Sequence, residues 1–159
     1  MARLVGFDAT QLVALVHIAF AMLLGGVLGA ERERQHKPAG LRTHMLVAGS
    51  AALLVTLGEV IILQNDRPEL VGAVRADPLR ILSAIITGVS FLGAGTIIRR
   101  QSAEEHVEGL TTAASLLMTS GIGAAVALAQ TIVALGGTVF VYVTLRALHG
   151  VERRIHGGS

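Results

Sequence analysis

Apolar residues gather in five stretches, roughly 10–30, 43–63, 80–98, 110–128 and 130–148, separated by short polar connectors. A helix crossing the hydrocarbon core needs about 20 such residues, so each stretch predicts a membrane span or nearly one. The third and fourth are shorter and rich in Gly, Ala, Ser and Thr. Only Ala129-Gln130 parts the last two stretches. One helix over 110–148 would overrun an ordinary bilayer, so a tight turn is expected there, with four spans and one long broken helix as the alternative. The fold class expected is an all-α polytopic transmembrane bundle of about five spans, forming a single domain over residues 1–159. The first stretch also invites reading as a signal peptide. Its Arg3 is offset by Asp8, however, and the apolar run to Ala30 is long for one, so a retained first span is expected.

The polar positions set the sidedness. Arg32, Arg34, Lys37, Arg42, Arg99, Arg100, Arg146, Arg153 and Arg154 fall on one side of this topology, nine cations against four, Arg3, Arg67, Arg75 and Arg80, on the other. The positive-inside rule therefore predicts the N-terminus outside and the C-terminus in the cytoplasm. The densest charge lies in the first connector, Gly29 to His44, which holds four cations, two carboxylates and two imidazoles.

Composition narrows the function classes. The 159 residues are 52% hydrophobic and 15% charged, with no Cys and no Trp. Thiolate metal sites and disulfides are excluded. Aromatic platforms for nucleic acid are scarce, and a pI near 9.9 in such a chain speaks of orientation and lipid head groups instead. No nucleotide-binding loop or catalytic constellation occurs. His36 and His44, or His149 and His156, lack metal-ligand spacing. No enzyme and no cofactor are expected.

Small residues at four-residue spacing predict close helix packing: Gly25 and Gly29 in the first span, Ala84 and Gly88 in the third, with Gly93 and Gly95 following. A tightly packed bundle or homo-oligomer is the expectation. Leu28-Gly29-Ala30 followed by Gly40-Leu41-Arg42-Thr43 finds an echo in Leu92-Gly93-Ala94 followed by Gly109-Leu110-Thr111-Thr112. The two runs read either as a repeated hairpin or as coincidence between similar apolar sequences.

Three motifs together resemble the MgtC/SapB family of bacterial inner-membrane proteins. They are Gly25-Gly26-Val27-Leu28-Gly29-Ala30-Glu31-Arg32-Glu33-Arg34 continuing into Lys37-Pro38-Ala39-Gly40-Leu41-Arg42-Thr43-His44; Asp77-Pro78-Leu79-Arg80-Ile81 leading to Gly88-Val89-Ser90-Phe91-Leu92-Gly93-Ala94-Gly95; and Gly109-Leu110-Thr111-Thr112-Ala113-Ala114. Ser90 stands where the family pattern has Gly, and Glu108 where it usually has a cation. The resemblance implies a multi-pass protein of the bacterial inner membrane, linked to magnesium limitation and acid stress. It assigns Glu31, Arg32, Arg34, Pro38, Gly40, Arg42, Thr43, His44, Gly109, Thr111 and Thr112 to a cytoplasmic motif face. The family's small C-terminal cytoplasmic domain is not expected here, since the chain stops about ten residues past the last span.

Each candidate group has a bland reading and a chemical one. Glu31 to Arg34 read as a hydrated helix end, or as a gate at the mouth of the bundle. Arg42 and His44 read as a basic anchor, or as ligands for phosphate or anionic lipid. Asp77-Pro78 reads first as a helix cap, then as a carboxylate for a hard cation with Arg80 as its partner. Thr111 and Thr112 read first as caps of the fourth span and then as hydroxyls lining a cavity. His17 and Glu59 lie at matching depth on neighbouring spans, so they read as a proton-linked pair unless Glu59 snorkels to water. Two functions follow: a regulator or accessory factor that binds a membrane-protein partner or lipid, or a small transporter or channel for a cation such as magnesium. The few hydroxyls at mid-membrane favour the first.

Overall fold

Helices form where the apolar stretches run. The computed structural model describes residues 9–65, 77–100 and 106–156. These comprise α1 (Ala9–Arg34), α2 (Leu41–Asn65), α3 (Pro78–Thr96), β1 (Ile98–Arg100), β2 (His106–Glu108), α4 (Leu110–Ala127) and α5 (Thr131–His156). Four helices are long and apolar enough to cross a membrane, and α5 contributes the apolar stretch Thr131–Ala147. Of the cations used for sidedness, Arg3, Arg67 and Arg75 lie outside the described residues. So does Gln101.

The exterior is that of a membrane protein. Leu23, Leu46, Phe91, Ile132 and Phe140 are all exposed, while Arg32, His44, Thr112 and Ser115 are buried. Lipid accepts the first group at no cost, whereas the second must find partners inside the bundle.

Local chemistry ends the helices as well as starting them. Asp77 accepts a hydrogen bond from the Leu79 amide at 2.9 Å, with Pro78 in the first helical turn, so α3 begins with the cap its sequence predicts. α1 ends at His36, whose φ is 53°. There the Lys37 amide donates to the Arg32 carbonyl and the His36 amide to that of Glu33. α4 ends in the same Schellman geometry: Ala129 has φ 55°, Gln130 donates to the Ala125 carbonyl and Ala129 to that of Val126. The Ala129-Gln130 break is therefore a full turn between two helices. An alanine held in the left-handed region costs roughly 1–2 kcal/mol. Ala129→Gly is accordingly expected to raise the apparent melting temperature in detergent; an unchanged or lower value would show that the turn carries no such strain.

α4 is the central helix and packs against the other four. Gly123 lies so close to the Ala48 backbone of α2 that a Cβ there would collide with it. Gly25 and Gly29 of α1 lie against α2 in the same manner, 2.5 Å from the His44 carbonyl oxygen and 2.7 Å from Leu41 Cα to an added Cβ. Ala21, Leu28, Ala48, Ala52 and Leu116 fill the space between these helices.

Both hairpins close alike. Gly29 packs on His44, four residues after Gly40, and Gly93 packs on Ala113, four residues after Gly109. The paired Gly motifs thus occupy corresponding places in α1–α2 and α3–α4. One element was not anticipated: β1 and β2 form an antiparallel pair with Arg99 opposite Val107, inside what the sequence suggests is a plain loop. Three-residue strands carry too little alternation to announce themselves.

Candidate functional site

Glu31, Arg32, His44, Thr112 and Ser115 are buried together at the charged end of the bundle, with Thr119, Ser120 and Thr138 buried further along it. α1 runs past its apolar stretch to Arg34, which carries Glu31 and Arg32 inward instead of leaving them as a hydrated end. Arg32 is 2% exposed and His44 0% exposed. This corrects the expectation of a solvated terminus. The helix simply continues, and its turn from Leu28 places Arg32 on the face that meets α4.

Arg32 Nη2 donates to Thr112 Oγ1 at 2.6 Å, while its Nε has no hydrogen-bond partner. Among the described residues no carboxylate forms an ion pair with this guanidinium. Glu31, next to it in sequence, accepts from Gln35 Nε2 at 3.1 Å and lies 3.8 Å from exposed Arg34. Gln35 also reaches the Leu145 carbonyl of α5 at 3.5 Å.

His44 completes the cluster. Its Nδ1–H donates to the Gly40 carbonyl at 3.0 Å, and Nε2 meets Ser115 Oγ at 3.2 Å. Ser115 Oγ also lies 2.8 Å from the Thr112 carbonyl. A single hydroxyl proton serves one acceptor at a time. With a neutral ring, Ser115 donates to His44; with an imidazolium, the ring donates to Ser115 and the hydroxyl turns back to Thr112. Arg32, Thr112, Ser115 and His44 thus form one buried polar cluster across α1, α4 and α2.

Thr112 is thus not a cap. The residue before α4 is Gly109, at φ 97° and without a side-chain cap bond, and Thr112 sits inside the helix as the acceptor for Arg32. Thr111 is exposed. Glu33 supplies a cap the sequence reading missed: its carboxylate accepts from the Leu41 amide at 2.8 Å and so starts α2 from the neighbouring helix. Ser115 was missed too, although Thr112, Ser115 and Thr119 recur at i, i+3 and i+7 and so trace one polar face of α4.

Other candidates stand apart. Arg42 and Pro38 are exposed, and Thr43 is half-buried. Asp77 and Arg80 form no ion pair, and Asp77 is occupied as a cap. His17 is half-buried and Glu59 exposed, with no hydrogen bond or ion pair between them. Of the packing positions, Gly25, Gly29 and Gly93 lie in helix contacts, whereas added Cβ atoms at Gly88 and Gly95 would meet open space and Ala84 is exposed. Among the described residues no group of three or more His, Cys, Asp or Glu could hold a metal ion.

The sequence model of the MgtC family matches residues 18–154. Protein MgtC of Salmonella typhimurium is 35% identical over 142 residues, covering 89% of this chain and 55% of that one. Protein SrpB of Synechococcus elongatus is 36% identical over 141 residues, covering 86% and 75%. YhiD of Escherichia coli K12, named provisionally as a magnesium transporter, is 32% identical over 144 residues, covering 89% and 63%. The chain thus spans 55% to 75% of the length of these three relatives. No solved structure matches.

Proposed function

Taking as premise that this chain belongs to the MgtC family, matched from residue 18 to 154, we propose that it is a non-enzymatic regulator or accessory protein of the bacterial inner membrane. It serves adaptation to low magnesium and acid, and acts by binding a membrane-protein partner or a second copy of itself. The observation that supports this most is the state of α3. Only Ile85, Val89 and Gly93 of this helix are buried, and Ser83, Thr87, Ser90 and Ala94 form an exposed face at helical spacing. Small and hydroxyl side chains facing outward let another helix approach closely in lipid. Thr87 Oγ1 donates to the Ser83 carbonyl at 2.8 Å, so its own hydroxyl is satisfied within the helix.

The interior of the bundle favours the same reading over transport. Its side-chain bonds between helices lie at one end, and farther along the bundle the buried Thr119, Ser120 and Thr138 hydroxyls donate to carbonyls of their own helices. The provisional name of the Escherichia coli relative keeps magnesium transport as the competing reading. Liposomes holding only the purified protein are expected to take up no more magnesium than protein-free ones. In cells, Thr87→Phe is expected to abolish growth support at low magnesium while leaving the protein folded in the membrane. Protein-dependent magnesium influx would overturn the regulatory reading, and a fully active Thr87→Phe variant would remove α3 as the contact face.

A further inference from the structure

α3 leans across the bundle. Near one end Ile81 presses on Gly58 of α2, whereas near the other Gly93 presses on Ala113 of α4. α2 and α3 must therefore part toward the charged end, and between them opens a groove of about 470 Å³. Its walls are largely apolar: Val47, Ala51 and Leu54 with the Ser50 hydroxyl on one side, Ile85, Val89 and Leu92 with Gly88 on the other. Arg42 and Thr43 stand at its charged end. Arg42 is exposed and, among the described residues, has no ion pair or hydrogen bond.

We propose that this groove seats one anionic phospholipid of the leaflet at the charged end, with an acyl chain between α2 and α3 and its phosphate on Arg42. Three features select this occupant. From Arg42 to Leu54 the groove runs about 18 Å along α2 at the helical rise, close to half the roughly 30 Å hydrocarbon core and hence to one leaflet. The cation lies at the head-group end only, where a phosphate sits and where a guanidinium binds it bidentately. Glu33 already holds the first amide of α2, so recognition falls to Arg42 and to the Thr43 hydroxyl beside it. A helix from a second copy would instead find a single cation at one end of an apolar slot and no counterpart for it.

The groove also differs from the partner face of α3. The centre of the Ala84, Gly88 and Leu92 face lies about 130° round the helix from that of Ser83, Thr87 and Ser90. The lipid site therefore does not depend on the partner reading, and either can fail alone.

Native mass spectrometry of the detergent-purified chain, supplied with equal phosphatidylglycerol and phosphatidylethanolamine of matched acyl chains, tests the assignment. Wild type is expected to retain one phosphatidylglycerol in preference. Arg42→Gln is expected to weaken that preference roughly tenfold, the loss of one charge-assisted contact. Arg34→Gln, on an exposed residue away from the groove, is expected to change nothing. Gly88→Leu, which puts a bulky side chain on the α3 wall of the groove, is expected to exclude both lipids, and Ala84→Leu repeats that test should Gly88→Leu not fold. Equal retention of the two lipids, a preference indifferent to Arg42→Gln, or a lipid-free dimer disrupted by Gly88→Leu would each overturn the proposal.

Discussion

Gly123→Ala is expected to destabilise the bundle by about 1–3 kcal/mol, the usual cost of forcing extra atoms into a filled core. The added methyl would meet the Ala48 carbonyl, carbon and Cα, all backbone atoms that no rotamer change can move aside. α2 and α4 would have to separate, and the seam they share holds His44 and Ser115 in register. Gly121→Ala, two residues away on the same helix, is the matched control. A Cβ there meets nothing within 4 Å, and replacing a helical Gly by Ala is worth roughly 0.5–1 kcal/mol in the other direction. Thermal unfolding in one detergent should therefore move oppositely for the two variants. Equal shifts would mean that the α2–α4 approach is looser than its geometry.

Thr112→Val is expected to cost about 1–3 kcal/mol, because it removes the only hydrogen-bond acceptor, among the described residues, of a buried guanidinium whose Nε already has none. Arg32→Met should behave differently. It takes the charge away together with its needs, and exchanging a buried ion for an apolar side chain of similar length is often neutral or stabilising. In the Arg32→Met background, Thr112→Val should then lose most of its effect, giving a coupling of about 0.5–3 kcal/mol in a double-mutant cycle. If Arg32→Met unfolds the protein more than Thr112→Val does, the guanidinium is a structural anchor. A protein that holds a buried cation at this cost without gaining stability retains it for function. Arg32→Met is therefore expected to stay folded yet fail to support growth at low magnesium.

Much of this architecture was legible from the chain. The helices lie where the apolar runs occur, four of span length and α5 with the shorter run Thr131–Ala147, because in lipid such a run has no other way to satisfy its backbone. Asp77-Pro78 starts α3 as local capping chemistry requires. The Gly motifs at 25 and 29, and at 93, mark true helix contacts. What local pattern left undecided was direction. Ala84 and Gly88 have the same four-residue spacing as Gly25 and Gly29, yet Ala84 is exposed and an added Cβ at Gly88 meets nothing within 4 Å. Spacing along one helix carries no information about which neighbour, if any, will cover it.

The charged connector shows the same division. Its composition alone determined that the helix would end there, that Gly40 would precede the next one, and that the segment carried the family's signature. Only the tertiary structure decided which of its charges went inside. Glu33 turned to cap α2, Arg34 and Arg42 remained exposed, and Arg32 went into the seam to meet Thr112, 80 positions further along the chain. The physical reason is that hydropathy and capping are properties of neighbours in sequence. The burial of a cation depends on a hydroxyl and a close-packed backbone supplied by helices that sequence neighbours do not include.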